Sequence, residues 1–191
     1  MEDGANRRMV RLYYFVHGTS VDNEDGLVSG WFDAELSELG RKQALELRQL
    51  IKRKKFDRLF SSDLRRAVDF AKLVFENTPI TAKDSRLREI DYGDLTRAKI
   101  TKVDSNLSLH IEKPFPNGES FREVERRVKD FLDYLAKTCL GMHVAIVAHR
   151  APQLALEVLL NGRTWEQAIQ EDWRVKKPDA WRAGWEYVLS T

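Results

Sequence analysis

Hydrophobic positions follow two different periods along the chain, and the switches between them outline its elements. Val10-Arg-Leu-Tyr-Tyr-Phe-Val16 is a short, largely apolar run of β-branched and aromatic residues, the pattern of a strand buried in a parallel sheet. It stops at His17-Gly18-Thr19, and a polar, glycine-bearing loop runs on to about Asp33. Ser37 is an N-cap by type. Leu39, Gln43, Leu47, Leu50 and Ile51 follow it at helical spacing, and Lys52-Arg-Lys-Lys55 lies at the negative end of that helix's dipole, where a solvated basic end is expected. Phe56 to Phe60 predicts a second strand, ending at Ser61-Ser62. Leu64, Ala67, Ala71, Val74 and Phe75 share the face of the next helix, which Asn77-Thr-Pro79 stops, and Ile80 to Ala82 is a weak third strand. From Lys83 to Asn117 the pattern is poor, with Pro114, Pro116 and Asn117-Gly118 marking a loop.

Ser120 and Glu123 form a capping-box pattern ahead of Phe121, Val124, Val128, Phe131 and Leu135, which predict a helix at spacings of three and four. His143 to Ala148 is the clearest strand, and it too ends in a histidine, His149. A helix follows around Pro152 to Leu160, with its proline in the tolerated first turn and Asn161-Gly162 at its end. Trp185 to Leu189 reads as an edge strand. Strands alternating with helices predict an α/β domain of three layers, a mostly parallel central sheet flanked by helices. Ligands in such sheets bind at the carboxyl ends of strands, where both His17 and His149 fall.

At 191 residues the chain fits one compact domain, with a core over 9–161 and a tryptophan-rich C-terminal extension over 162–191. Hydrophobic residues at 42% and charged residues at 32% exclude a disordered or collagen-like chain. Lys and Arg number 32 against 30 Asp and Glu, so no basic field suits nucleic acid, although a few local cations suffice for a small anion. Cys139 is the one cysteine, so neither an internal disulfide nor a C-x-x-C zinc site exists; a reducing, cytoplasmic location is expected. No apolar run approaches the about 18 residues of a membrane span, and Met1 to Arg8 lacks the apolar region of a secretory signal. Trp165, Trp173, Trp181 and Trp185 read as core or packed interface, with a substrate pocket or subunit contact as the alternative. The oligomeric state stays open, a homodimer included.

Four places carry candidate chemistry. Neutral His17 is a competent nucleophile toward phosphorus, beside a glycine, Gly18, that lets other groups approach. Ser61-Ser62 opens a helix, whose first turn is an anion site by its free N–H groups and dipole, and Arg66 projects from that turn with a guanidinium suited to phosphate. His149, if held protonated, can donate to a phosphoryl oxygen. Glu89, sheltered by Leu87, Ile90 and Tyr92, suits a general acid, with Asp91 as competitor. Each taken alone also fits a plainer role: a loop histidine, a capped helix, a structural histidine, a solvated acid.

Taken in order, these pieces resemble the histidine phosphatase superfamily, the phosphoglycerate mutase-like family, over roughly 10–160. The blocks that match are His17, Gly18, Asn23, Gly26, Gly30, Asp33, Leu36, Ser37, Gly40, Gln43 and Ala44; then Ser62, Leu64, Arg66 and Ala67; Leu87, Glu89 and Gly93; Gly118, Glu119 and Ser120, followed by Arg127; and Val147 with His149. The resemblance implies a phosphoglycerate mutase-like fold and a phosphatase acting on a small phosphomonoester. His17 would be phosphorylated, Arg66 and His149 would hold the phosphoryl oxygens with Asn23 as a further donor, and Glu89 would protonate the leaving oxygen and then activate water. No cofactor or metal is needed in this scheme, and rate should follow a bell against pH, because His17 must be neutral while the acid is protonated.

The chain also departs from the family pattern. Val16 stands where the family has an arginine, Ser29 where it usually has glutamine in the substrate-binding loop, and Arg150 where glycine follows the second histidine. Arg150 or Arg97 is therefore a candidate for the missing cation. Val16 keeps open a weakly active or non-catalytic member that binds a phosphorylated ligand. A phosphoglycerate mutase is a further alternative, disfavoured by the short stretch from Gly93 to Gly118.

Overall fold

The computed structural model describes residues 9–176 and 184–190. Five strands, β1 (Met9–Val16), β2 (Arg58–Ser61), β3 (Ala82–Lys83), β4 (His143–Ala148) and β5 (Trp185–Ser190), form one sheet in the order β3-β2-β4-β1-β5. Every neighbouring pair is parallel except β1 with β5. In the central pair Val16 lies opposite Ala148, so the residues leaving β1 and β4 emerge side by side. Those residues are His17 and His149, and the His17 N–H donates to the Ala148 carbonyl at 3.1 Å.

The helices among the described residues are α1 (Val21–Glu24), α2 (Glu38–Ile51), α3 (Arg65–Val74), α4 (Ile100–Asp104), α5 (Phe121–Thr138), α6 (Arg150–Asn161), α7 (Trp165–Gln170) and α8 (Trp173–Lys176). The period-two alternation of the strands divides the core. Val10, Leu12, Tyr14, Val144, Ile146 and Ala148 face α5, α6 and α7. Phe15, Leu59, Ala145 and Val147 face α2 and α3 through Ala44, Leu47, Ala67 and Phe70. Helices on both faces are why the central strands read as continuous apolar runs.

The helical face expected for α2 is rotated. Gly40, Gln43, Ala44 and Leu47 are buried, whereas Leu39 and Leu50 are 48% and 69% exposed. The cause is a backbone contact: a Cβ on Gly40 would lie 2.1 Å from the Thr19 carbonyl oxygen, and one on Gly18 would lie 2.6 Å from the Gly40 oxygen. Gln43 reinforces it by accepting the Thr19 N–H at 2.8 Å. The helix is thus turned to press on the loop that carries His17.

The Ser120–Glu123 capping box forms as expected, and Phe121, Val124, Val128, Phe131 and Leu135 are all buried. After β3, residues 84–117 hold short helical turns and α4, which is why no strand period showed there. Residues beyond 161 contribute to the same sheet and core: Trp165 and Trp185 are buried, β5 pairs along β1, and the Trp165 indole donates to Glu125 at 2.6 Å. Trp181 lies outside the described residues. The basic run at Lys52 to Lys55 is exposed, with Lys54 ion-paired to Glu186. No helix among the described residues is long and apolar enough to cross a membrane.

Candidate active site

His17 Nδ1 lies 2.6 Å from the Gly18 carbonyl oxygen, which assigns the proton to Nδ1 and leaves the lone pair on Nε2. Arg66 Nε donates to that Nε2 at 3.2 Å. Arg66 is buried, and its other nitrogens donate to the carbonyls of Phe32 at 2.9 Å and Gly30 at 2.8 Å. Among the described residues all of its hydrogen-bond acceptors are neutral.

The His149 ring stands 4.9 Å from that of His17, at 65° to it. Its backbone is bracketed by the buried Tyr14 hydroxyl, which donates to the His149 carbonyl at 2.8 Å and accepts its N–H at 3.0 Å. Tyr14→Phe would strand the His149 N–H in the core, while its carbonyl keeps the Gln153 N–H at 3.3 Å; a loss of about 1–3 kcal/mol of stability is expected in urea unfolding. Both ring nitrogens of His149 are buried without a hydrogen-bond partner among the described residues. A site with two such idle polar atoms is built to receive a polar guest.

Both imidazoles are neutral in the free protein. Burial, with the Arg66 and then the Arg174 charge behind it, pushes His17 from its ordinary value down to about 3; burial, Arg66 and His17 hold His149 well below its ordinary value. His149 is therefore not held protonated before a ligand arrives, as the sequence suggested; it donates from its single N–H, and an incoming phosphoryl anion favours a second proton. Nor does His17 set the acid limb of a pH–rate bell, since it stays unprotonated well below the working range. The linkage has a definite sign. Between about 6.5 and 3 the unfolded chain takes up a proton that folded His17 refuses, so stability falls as pH falls, by about 1.4 kcal/mol per pH unit for this histidine, and the lowered His149 acts in the same direction. Urea unfolding at pH 7 and pH 5 should show a pH dependence shallower by about that amount in His17→Asn. An unchanged slope would mean that His17 is protonated when folded.

Glu89 sits at the start of α6, directly after His149. Its Oε2 accepts the Arg150 N–H at 3.1 Å, and its Oε1 accepts those of Ala151 at 2.8 Å and Ile90 at 3.0 Å. The carboxylate thus occupies the positive end of a helix dipole. Its own carbonyl is held by the Trp31 indole at 2.7 Å and Arg127 at 3.0 Å, and Arg127 is clamped by Glu119 at 2.9 Å. Asp91 turns inward to the Gly93 N–H at 2.9 Å, so Glu89 is the carboxylate beside the histidines.

The remaining candidates divide. Asn23 uses Oδ1 to cap Ser20 at 3.0 Å, and its amide donors have no partner among the described residues. Ser29 is buried with its hydroxyl likewise unpaired. Gly18 allows the contact with Gly40. Arg150 is ion-paired through Nε to Asp172 at 2.6 Å and through Nη1 to Asp104 at 2.8 Å, its Nη2 is buried without a partner among the described residues, and its backbone N–H donates to Glu89. Arg97 lies over the Phe32 ring at 4.6 Å with Asp22 at 3.4 Å. At the opening of α3, Asp33 accepts the Arg65 N–H at 2.7 Å and Ser62 that of Leu64 at 3.3 Å, so these two N–H groups are already taken. A cleft of about 460 Å³ between the far ends of α2 and α3, walled by Phe56 and Phe75, lies at the amino ends of the strands and holds none of these residues.

Two neutral histidines at adjacent strand ends, with a buried guanidinium and a carboxylate beside them, can hold a phosphoryl group. A family model described as histidine phosphatase superfamily (branch 1) matches residues 12–184. The chain belongs to this superfamily. Within it, the chain is 33% identical over 163 residues to phosphoserine phosphatase 1 of Hydrogenobacter thermophilus, covering 81% of this chain and 77% of that one. It is also 33% identical over 169 residues to a 2,3-bisphosphoglycerate-dependent phosphoglycerate mutase of Methylobacterium sp., covering 78% and 80%. Among solved structures, the α-ribazole phosphatase of Shigella flexneri superposes with a TM-score of 0.74 at 27% identity, covering 84% of each chain. The fold is the mostly parallel, helix-flanked sheet of the phosphoglycerate mutase-like phosphatases.

For this superfamily member the structure adds residues that pattern alone passed over. Trp31 and Phe32, 39% and 45% exposed, flank the site through the carbonyl and indole contacts above, with Arg88 stacked 4.8 Å over Trp31. Their signal was two adjacent large aromatics near the end of a glycine-bearing loop. Tyr14 had none, because it acts through His149, more than a hundred residues away.

Proposed function

We propose that this protein is a phosphomonoester hydrolase that passes the phosphoryl group through His17. The Nε2 lone pair attacks phosphorus, giving up its Arg66 hydrogen bond, while the ester P–O bond breaks and the leaving oxygen takes a proton from Glu89. The product is phosphohistidine at Nε2, its Nδ1–H still on the Gly18 carbonyl. Water then attacks phosphorus, Glu89 takes its proton, the P–N bond breaks, and inorganic phosphate leaves. Arg66 and His149 donate to the equatorial oxygens, where fixed donors act most strongly on developing charge.

One observation carries this reading: Nδ1 is bound to its own neighbour's carbonyl, so a neutral Nε2 faces the guanidinium and the second ring. The phosphatases among the relatives favour hydrolysis, as does the packing of the segment after Glu89. There a Cβ on Gly93 would come 2.0 Å from the Pro116 oxygen, so this segment folds back on itself close to the body. The test is release of inorganic phosphate from a panel of sugar, nucleotide and hydroxy-acid phosphates, with a phosphoglycerate followed for isomerisation as well. Phosphate release without isomerisation is expected; isomerisation without release would make the protein a mutase.

A further inference from the structure

Behind burial, the charges of Arg66 and then Arg174 hold the His17 ring unprotonated. Arg66 is committed at all three nitrogens. Arg174 is different. Its Nη1 pairs with Asp172 at 2.8 Å, yet its Nη2 is buried with no partner among the described residues; the Nη2 of Arg150 is likewise idle, but the Arg150 charge is not among those that lower the His17 pKa. The guanidinium lies 5.0 Å from the Trp173 ring and 5.7 Å from the Trp185 ring. Trp185 pairs with Tyr14 across β1 and β5, and Tyr14 brackets His149. Val16 is one pleat further along the Tyr14 face, next to His17, and packs against the same core cluster. The guanidinium therefore approaches the side of β1 on which the residue before the nucleophile offers only methyl groups. Its counter-ion is already shared: the fully buried Asp172 carboxylate also binds Arg150 at 2.6 Å. Stacking on two indoles and one shared carboxylate fix the fork while leaving a donor idle, the arrangement of a preorganised anion clamp.

We propose that Arg174 is the second guanidinium of the phosphate site, supplied from the C-terminal segment in place of a cation at position 16. This rests on the hydrolase reading and names a residue that touches the phosphoryl oxygens through Nη2. It also gives the tryptophans Trp173 and Trp185 a task, holding that guanidinium in place.

The test compares the parent, Arg174→Lys, Arg174→Ala and the double variant Val16→Arg/Arg174→Ala, each checked for folding by circular dichroism. Two quantities are read: kcat/KM for a phosphomonoester, and the affinity for inorganic phosphate by calorimetry. Arg174→Ala should lose about 10²–10³-fold in kcat/KM, the usual effect of one preorganised donor. Arg174→Lys keeps the charge for Asp172 but not the fork, and should lose about tenfold in both quantities. The arginine at 16 should restore at least tenfold of the alanine loss, which a merely structural role for Arg174 would not allow. Folded Arg174→Lys and Arg174→Ala proteins within about threefold of the parent in both quantities would overturn the proposal while leaving hydrolysis intact. A parent that binds phosphate through Arg174 but releases none from any ester would instead overturn the hydrolase reading alone.

Discussion

His17→Asn is expected to lower kcat/KM for a phosphomonoester by on the order of 10⁴-fold or more, as loss of a covalent nucleophile does elsewhere. Asparagine places an amide N–H near the site of Nδ1, so the bond to the Gly18 carbonyl can persist and the loop keeps its course. What disappears is the Nε2 lone pair that faces Arg66. The variant should also be more resistant to acid than the parent, since it removes a buried base that refuses protons when folded. Loss of activity with a shallower stability–pH slope ties both effects to one neutral imidazole. Activity within tenfold of the parent would show that another group attacks phosphorus.

Glu89→Gln should separate substrates by their leaving groups. An alkyl phosphate needs its leaving oxygen protonated, and removing a general acid commonly lowers the rate by about 10²–10⁴-fold. A 4-nitrophenyl phosphate leaves as a stable anion and should lose far less. The ratio of the two effects is internally controlled, because any disturbance of α6 acts on both substrates. Such a disturbance is expected: the carboxylate accepts three backbone N–H groups, and an amide NH₂ turned toward any of them meets a donor. Equal losses on both substrates would make Glu89 a residue that only positions His149.

The sheet and the histidine pair were legible because they depend on local patterns. Continuous apolar runs gave β1 and β4, and a histidine directly after each strand is set beside the other by the parallel register of that pair. The family blocks pointed to Arg66 and Glu89, but not to what holds them. Arg66 reaches Nε2 because the carbonyls of Gly30 and Phe32 fix its fork, and Glu89 is seated by the first N–H groups of a helix about sixty residues on. Backbone groups carry no signature in the sequence. The rotated face of α2 escaped for a similar reason, since hydrophobic spacing cannot register a glycine pressed on a carbonyl. Arg150 adjoins His149 in the chain, yet its side chain points to Asp172 and Asp104, whereas Arg174 is distant in sequence and acts on His17. Neighbourhood along the chain is a poor guide to where a long side chain ends.

The most direct measurement is rapid acid-free quenching of the protein during turnover of a phosphate-labelled monoester, followed by peptide mapping under alkaline conditions. Label that is stable to alkali, lost in acid and confined to the peptide bearing His17 is the predicted result. Full turnover with no label on that peptide, or with label elsewhere, would contradict transfer through this histidine.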